Sequence, residues 1–336
     1  MVPFYAVPKN ITTVHYQIMN SIEAMYREIE SQSSILTSLR LPRMEGVKDC
    51  IFVGNGDSFV AGLISSYVSG FRSLCLTPHD IIAHPQIAKG RHVFFVSVSG
   101  NTIANIRGAS ALKARHVPVT AITMNVNSLL AKECRDVIEI DVPRSPVVTS
   151  GTLTFTASAI ICLSLISNIT NSALIPKIYE KCKKNYQIYD DIAFNGKVHV
   201  VLGDDLLYPC AIYGKLKINE IFGFPSFAYS LDEFFHASLF GTRASDSILV
   251  LETKEIRQKR KKNTISELLS KIRLKNVSLS CGSKSVFETI FTSIFLQQLI
   301  FVNQARKMGI KECSFLKNKR YLSISSKMIY GPCYEH

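Results

Sequence analysis

Short apolar runs, each closed by a glycine, serine or asparagine turn and followed by a helical run, recur along this chain. The first starts near Lys48. There DCIFVG has the pattern of a buried strand, Gly54-Asn55-Gly56-Asp57-Ser58 of a glycine-punctuated turn, and FVAGLISSYVSG of a helix. LCLTPHDI opens a second unit, HVFFVSVSGNT with its following helix a third, and VPVTAITMNVNS with the polar turn before LLAKEC a fourth. Strands alternating with helices predict a parallel sheet covered on both faces, since each parallel connection needs a crossover that lies on the sheet. VIEIDV, the segment PRSPVVTSGTLTFTASA and a long apolar helix around IICLSLISNI close the first half. Ahead of it, residues 1–45 form a proline-punctuated arm and a helix, SIEAMYREIESQSSILTSL, whose stripe of Ile22, Met25, Ile29, Ile35 and Leu36 predicts packing on the body.

Near Asn195 the pattern restarts. VHVVLG predicts a buried strand ending at Gly203, Asp204 to Pro209 a turn, and CAIYGKLKINEI a helix. SDSILVLETKE then replays the position of HVFFVSVSGNT, and KNVSLSCGSK that of VPVTAITMNVNS. The expectation is an internal duplication of about 150 residues, far diverged. It gives an α/β protein of two parallel-sheet units, residues 46–190 and 191–310, with a tail over 311–336.

Candidate chemistry starts where the third strand ends. Phe94 to Thr102, FFVSVSGNT, empties an apolar strand into hydroxyls and a glycine just as a helix begins, which puts unpaired N–H groups and a positive helix end at one place. Such a place binds anions. Gly100 would let the backbone approach a ligand, and Ser97, Ser99 and Thr102 can each donate to a phosphate oxygen. The same residues also fit an ordinary strand-to-helix turn with a Ser or Thr cap. In the second unit this loop falls opposite Glu252-Thr253-Lys254-Glu255-Ile256-Arg257, where two carboxylates replace the serine-glycine pattern and would repel a phosphate. The first unit is therefore expected to keep the anion site, leaving the second to supply chemistry.

Composition narrows the function classes. With 336 residues, 47% of them hydrophobic, the chain can fill roughly two domains of about 150 residues. No apolar run approaches the ~20 residues that a spanning helix needs, and MVPFYAVPKN lacks a signal-peptide layout, so a soluble cytoplasmic protein without a membrane partner is expected. Nine scattered cysteines without CxxC spacing predict small core residues in a reducing compartment, with no disulfide frame and no metal site. The net charge of +13 suits an anionic partner. Much of the excess sits in the run 254–262, KEIRQKRKK, which has the pattern of a solvated surface; no zinc finger, RNP-type motif or clear helix-turn-helix accompanies it, and nucleic acid is not expected as a partner.

Several stretches in one order resemble the double-domain members of the SIS (sugar isomerase) family, in particular the isomerase half of the glutamine:fructose-6-phosphate amidotransferases. Met25-Tyr26-Arg27-Glu28-Ile29 through Gln32 is similar to that family's MxxEIxxQ, Ser97 to Thr102 to SxSGxT, and Ser150 to Thr156 to STKAFT. The Gly56-Asp57-Ser58 turn has its counterpart too. In the second unit GDDLLYPCAIYGKLKINE, Gly203 to Glu220, resembles GRGxxYPxAxEGALKLKE, and Asp232 to His236 resembles GELKH. The resemblance implies two flavodoxin-like, three-layer SIS subdomains with a sugar-phosphate site at their junction and no cofactor. By the family's pattern Ser58, Ser97, Ser99, Gly100, Asn101, Thr102 and Ser150 would hold the phosphate. Glu220 would move the proton between C1 and C2, His236 would open the sugar ring, and Lys217 would sit near the developing enediolate. The resemblance also implies a homodimer in which His236 reaches the neighbouring site.

The chemistry is coherent: moving a carbonyl between C1 and C2 takes one base and nearby donors for the developing oxyanion. A carboxylate with a solution pKa of about 4.3 is a feeble base at neutral pH unless its surroundings raise it. On the residues alone, Glu220 equally fits a surface carboxylate paired with Lys215 or Lys217, and His236 a packed core or interface histidine. Departures from the family bear on the reaction. Leu153 stands where STK has lysine. Ile324 in Arg320 to Ile324 replaces the lysine of PRxLAK, with Lys327 the nearest substitute three residues on. Met1-Val2 offers no N-terminal cysteine nucleophile, so glutamine is not expected to be its ammonia source. The favoured reading is a hexosamine or hexose 6-phosphate isomerase of the glucosamine-6-phosphate deaminase kind. Its competitors are a phosphoglucose/phosphomannose isomerase and a sugar-phosphate sensor without catalysis.

Overall fold

The computed structural model describes residues 19–42, 49–167, 171–189, 197–253, 264–282 and 285–331; the opening arm and the basic run 254–262 lie outside them. Strands β1 (Cys50–Val53), β2 (Leu74–Leu76), β3 (His92–Val96), β4 (Val119–Thr123) and β5 (Asp136–Glu139) form one parallel sheet in the order β2-β1-β3-β4-β5. Strands β6 (His199–Leu202), β7 (Ser226–Tyr229), β8 (Ser247–Glu252) and β9 (Lys275–Ser280) form a second parallel sheet, β7-β6-β8-β9. Its order repeats the first four places of the other sheet. β8 takes the place of β3, and β9 that of β4, as the two replayed sequence stretches predict.

Alternation along each strand divides the interior into layers. Cys50, Phe52, Phe94, Val96 and Ile122 point to one face of the first sheet, and Val201, Leu249 and Leu251 to one face of the second, all into a single large cluster. Helices α1 (Ser21–Ile35), α2 (Asp57–Val68), α6 (Leu153–Ile166), α7 (Ile175–Asn185), α8 (Leu207–Phe222) and α11 (Val286–Lys307) fill that shared middle. On the opposite face of the first sheet, Ile51, Val53, Val93, Phe95, Val119 and Ala121 meet α3 (Pro78–Ala83), α4 (Ile103–Lys113) and α5 (Leu129–Glu133). Val200, Leu202, Ile248 and Val250 do likewise against α9 (Leu231–His236) and α10 (Ile265–Lys271). The tail adds α12 (Ser314–Lys317), which packs on α8, and α13 (Lys319–Tyr330).

One expectation needs correction. Val286–Lys307 is long and apolar enough to cross a membrane by length and hydropathy. Its residues are nevertheless mostly buried inside the protein, packed against α8, α7 and α1, which is the position of a core helix wrapped on every side. Of the eight cysteines within the described residues, six are buried as core side chains, and burial pushes thiols such as Cys50 up to about 12. No cluster of metal-ligating side chains occurs among the described residues.

Candidate active site

In the first sheet the chain leaves β1 toward β2 on one side and returns to β3 on the other. The loops after β1 and β3 therefore part at adjacent strand ends, the switch point where such sheets usually bind a ligand in a crevice. Both predicted anion-binding stretches border it. After β1, Gly56 caps α2 and Ser58 is its second residue. After β3, Ser97 Oγ accepts from the Gly100 N–H at 3.2 Å and lies 3.5 Å from Thr102 Oγ1, while Ser99 Oγ accepts from the Asn101 N–H at 3.3 Å. Thr102 is the N-cap of α4 in extended conformation, yet its hydroxyl makes no capping bond. Among the described residues the first N–H groups of α4 thus have no capping side chain from Thr102, and the ordinary-cap alternative does not describe this turn.

Gly100 also has a structural part. Its φ is +66°, and a Cβ there would lie 2.1 Å from Ser128 Oγ and 2.9 Å from Thr123 Oγ1. The glycine faces the turn after β4 and lets the two loops close on each other. Asn101 joins in, its Oδ1 accepting from the Leu129 N–H at 3.4 Å, so both residues shape the loop through β4's turn.

The second constellation spans the two halves. Lys217 and Glu220, one turn apart on α8, share a face. Lys217 Nζ donates to Glu220 Oε2 at 2.6 Å and to Asp57 Oδ2, at the start of α2, at 2.8 Å. Ser150 Oγ donates to the same Glu220 oxygen at 2.5 Å, so Ser150 stands with the carboxylate rather than with the anion loop. The Lys217 side chain is 1% exposed, against 21% for Asp57 and 35% for Glu220. The ammonium thus lies beneath two carboxylates, of which Glu220 is the more exposed. Burial works against the Lys217 charge, but Asp57 and Glu220 outweigh it and hold its pKa above the ordinary lysine value. Burial pushes Asp57 up to about 6, against the pull of Lys217 and with the repulsion of Glu220.

A buried polar scaffold supports the loop that carries Ser150. A Cβ at Gly151 would come 2.4 Å from Asp57 Oδ2, so only glycine lets this loop lie against the aspartate. Tyr213 Oη donates to the Gly151 carbonyl at 3.0 Å and accepts from Gln298 Nε2 at 3.0 Å. Gln298 also donates to Thr156 Oγ1 at 3.1 Å and accepts from Gln32 at 2.7 Å. Glu28 accepts from Thr152 Oγ1 at 2.5 Å and from Thr149 Oγ1 at 3.3 Å; burial raises its pKa, and these hydroxyls hold it back.

Two predicted residues stand apart. His236 is exposed at the C-terminal end of α9, and no hydrogen bond or ion pair links it to Glu220. Lys327 is exposed on α13 and likewise joins none of these contacts.

Part of the chain matches a known family. Residues 47–167 match the SIS domain. Among curated relatives, glutamine–fructose-6-phosphate aminotransferase from Clostridium tetani is 24% identical over 240 residues, covering 63% of this chain and 39% of that protein. The chain spans less than half the length of the curated relatives it matches. Among solved structures, glucosamine-6-phosphate deaminase from Thermotoga maritima superposes with a TM-score of 0.69 at 21% identity, covering 86% of this chain and 96% of that one. Tagatose-6-phosphate ketose/aldose isomerase from Escherichia coli gives 0.63 at 17% identity, covering 85% and 93%. These likenesses are of fold: two parallel sheets flanked by helices, as in SIS-type phosphosugar isomerases.

Within the SIS domain region, Asp57 is the site residue that sequence reasoning passed over. It stood inside the quoted Gly56-Asp57-Ser58 turn, but a carboxylate at a helix start is an ordinary cap, and nothing local shows that Lys217 meets it. Glu28, Gln32 and Gln298 were equally silent. The first two lay in the quoted helix motif, where the apolar stripe alone gave a complete reason for the helix.

Proposed function

We propose that this chain interconverts an aldose and a ketose phosphate, a hexosamine or hexose 6-phosphate, by moving a proton between C1 and C2 on Glu220. The observation that carries the reading is the Glu220 carboxylate, one third exposed and fixed by Lys217 and Ser150, in a fold whose switch-point crevice carries uncapped helix N–H groups and serine hydroxyls. The Ser97 to Thr102 loop and Ser58 take the phosphate, which positions C1 and C2 for the base. Glu220 removes a proton from one carbon and returns it to the other through an enediolate. Lys217 acts from below, holding the base in place and lending positive charge as the oxyanion forms. His236, exposed on α9, serves ring opening in the site of a second copy, which makes a homodimer the working form.

Within this class the reading favours glucosamine 6-phosphate, which with water gives fructose 6-phosphate and ammonia. It draws on the names of the structural neighbours and on the Ser150 to Thr156 and Gly203 to Glu220 stretches. The test follows ammonia release from glucosamine 6-phosphate beside conversion of glucose 6-phosphate to fructose 6-phosphate. Glu220→Gln is expected to lower turnover by about 100-fold or more while thermal stabilisation by the ligand persists. Turnover of glucose 6-phosphate alone would favour the phosphoglucose isomerase alternative. Stabilisation of the wild type without turnover on either sugar would leave a sensor, and no stabilisation by either would end the phosphosugar reading.

A further inference from the structure

Asp57 gives the reacting end of the crevice a charge that the isomerase reading does not require. Its Oδ2 and Glu220 Oε2 both accept from Lys217 Nζ, so two carboxylates share one ammonium. Among the described residues no other cation pairs with either one. Asp57 Oδ1 is buried and accepts no hydrogen bond. The three groups together therefore carry one negative charge in excess, with Glu220 the most exposed, Asp57 Oδ1 buried and the lysine hidden beneath. A phosphosugar is itself an anion, and an uncompensated carboxylate a few ångströms from its reacting carbons weakens its binding. A substrate that brings its own cation to that end removes the penalty.

We propose that Asp57 is a specificity-determining residue that selects a phosphosugar with a cationic nitrogen beside the carbonyl carbon over one with a hydroxyl there. The proposal rests on the reading that Glu220 works at C1 and C2, which places the excess charge next to the C2 substituent. It acts through space and needs no direct bond from Asp57 to the sugar. Asparagine keeps the shape and an acceptor oxygen for Lys217 but removes the charge, so it strengthens binding of the hydroxyl sugar and weakens that of the amino sugar.

Calorimetric titration of wild type and Asp57→Asn with glucosamine 6-phosphate and glucose 6-phosphate tests it. Near about pH 7.5 the wild type is expected to prefer the amino sugar, and the ratio of the two dissociation constants to shrink by about tenfold in the variant. A second arm needs no variant. Both ligands carry the same phosphate, so its titration cancels in the ratio. Asp57, with its pKa pushed up to about 6, is ionised above that pH and neutral below it, so the wild-type preference should fade as pH drops through about 6 and stay flat in Asp57→Asn. The groups facing Asp57 are Lys217, Glu220 and Tyr213 on α8 and Ser150 and Gly151 on the loop. Equal ratios in wild type and variant, or a wild-type preference for glucose 6-phosphate, would overturn the role of Asp57 while leaving the isomerase reading standing. Binding of neither sugar to the wild type would overturn both.

Discussion

A methyl group at Gly100 would sit 2.1 Å from the Ser128 hydroxyl, on a backbone with φ of +66°. Gly100→Ala is therefore expected to cost about 2–4 kcal/mol, part from the left-handed conformation and part from overpacking. Urea denaturation measures it, and a loss well under 1 kcal/mol would mean that the loops part cheaply. The sequence made this glycine visible as a turn residue, and the structure adds a partner that the sequence did not name. A glycine announces that something comes close, whereas its contact, the turn after β4, is 28 residues from Asn101 in the case of Leu129. Glu220 and Lys217 were legible because they lie three residues apart on one helix. Asp57 was not, because its contact with Lys217 crosses 160 positions of chain.

At the scale of elements, α8 and α11 decide whether the site exists. α8 presents Tyr213 and Glu220 toward the loop after β5 and Lys217 toward the start of α2, and α11 presents Gln298 to Tyr213. Gln298 joins four partners: Tyr213, Thr156, Gln32 and the Thr152 carbonyl. Gln298→Leu strands buried polar groups and is expected to destabilise by about 2–3 kcal/mol. Adding Gln32→Leu should then cost less than it does alone, since the pair shares one network. A double-mutant cycle on unfolding free energies checks this, and full additivity would show that the two act separately. The strands were readable from four- to six-residue apolar runs. α11 was not singled out in advance: Ser285 caps it just after Gly282, as in the other units, but its run is apolar nearly all round and carries no stripe to mark a face.

For the whole molecule, the decisive feature is the core shared by the two sheets. Phe94 of β3, Val201 of β6 and Phe295 of α11 belong to one cluster, so the largest part of the interior is enclosed by both halves together. Phe295→Ala is expected to cost about 3–5 kcal/mol and to shift the unfolding of both halves together. Far-UV circular dichroism and tyrosine fluorescence should give coincident transitions, tyrosine being the reporter since the chain has no tryptophan. Two separate transitions, with only one moved, would refute a common core.

By itself the sequence determined what is local and periodic: strand-turn-helix units, their restart near Asn195, the serine-glycine loop after β3, and the lysine and glutamate on one face of a helix. Side-chain period, turn chemistry and helix geometry act over a few residues, so they are written along the chain. Only the tertiary structure decided that Asp57 shares Lys217 with Glu220, that Ser150 sits on that glutamate, that Gly100 faces a neighbouring turn, and that α11 lies inside the protein. Each of those depends on which surfaces two sheets bury between them, and burial is a property of the packed chain that no short stretch encodes.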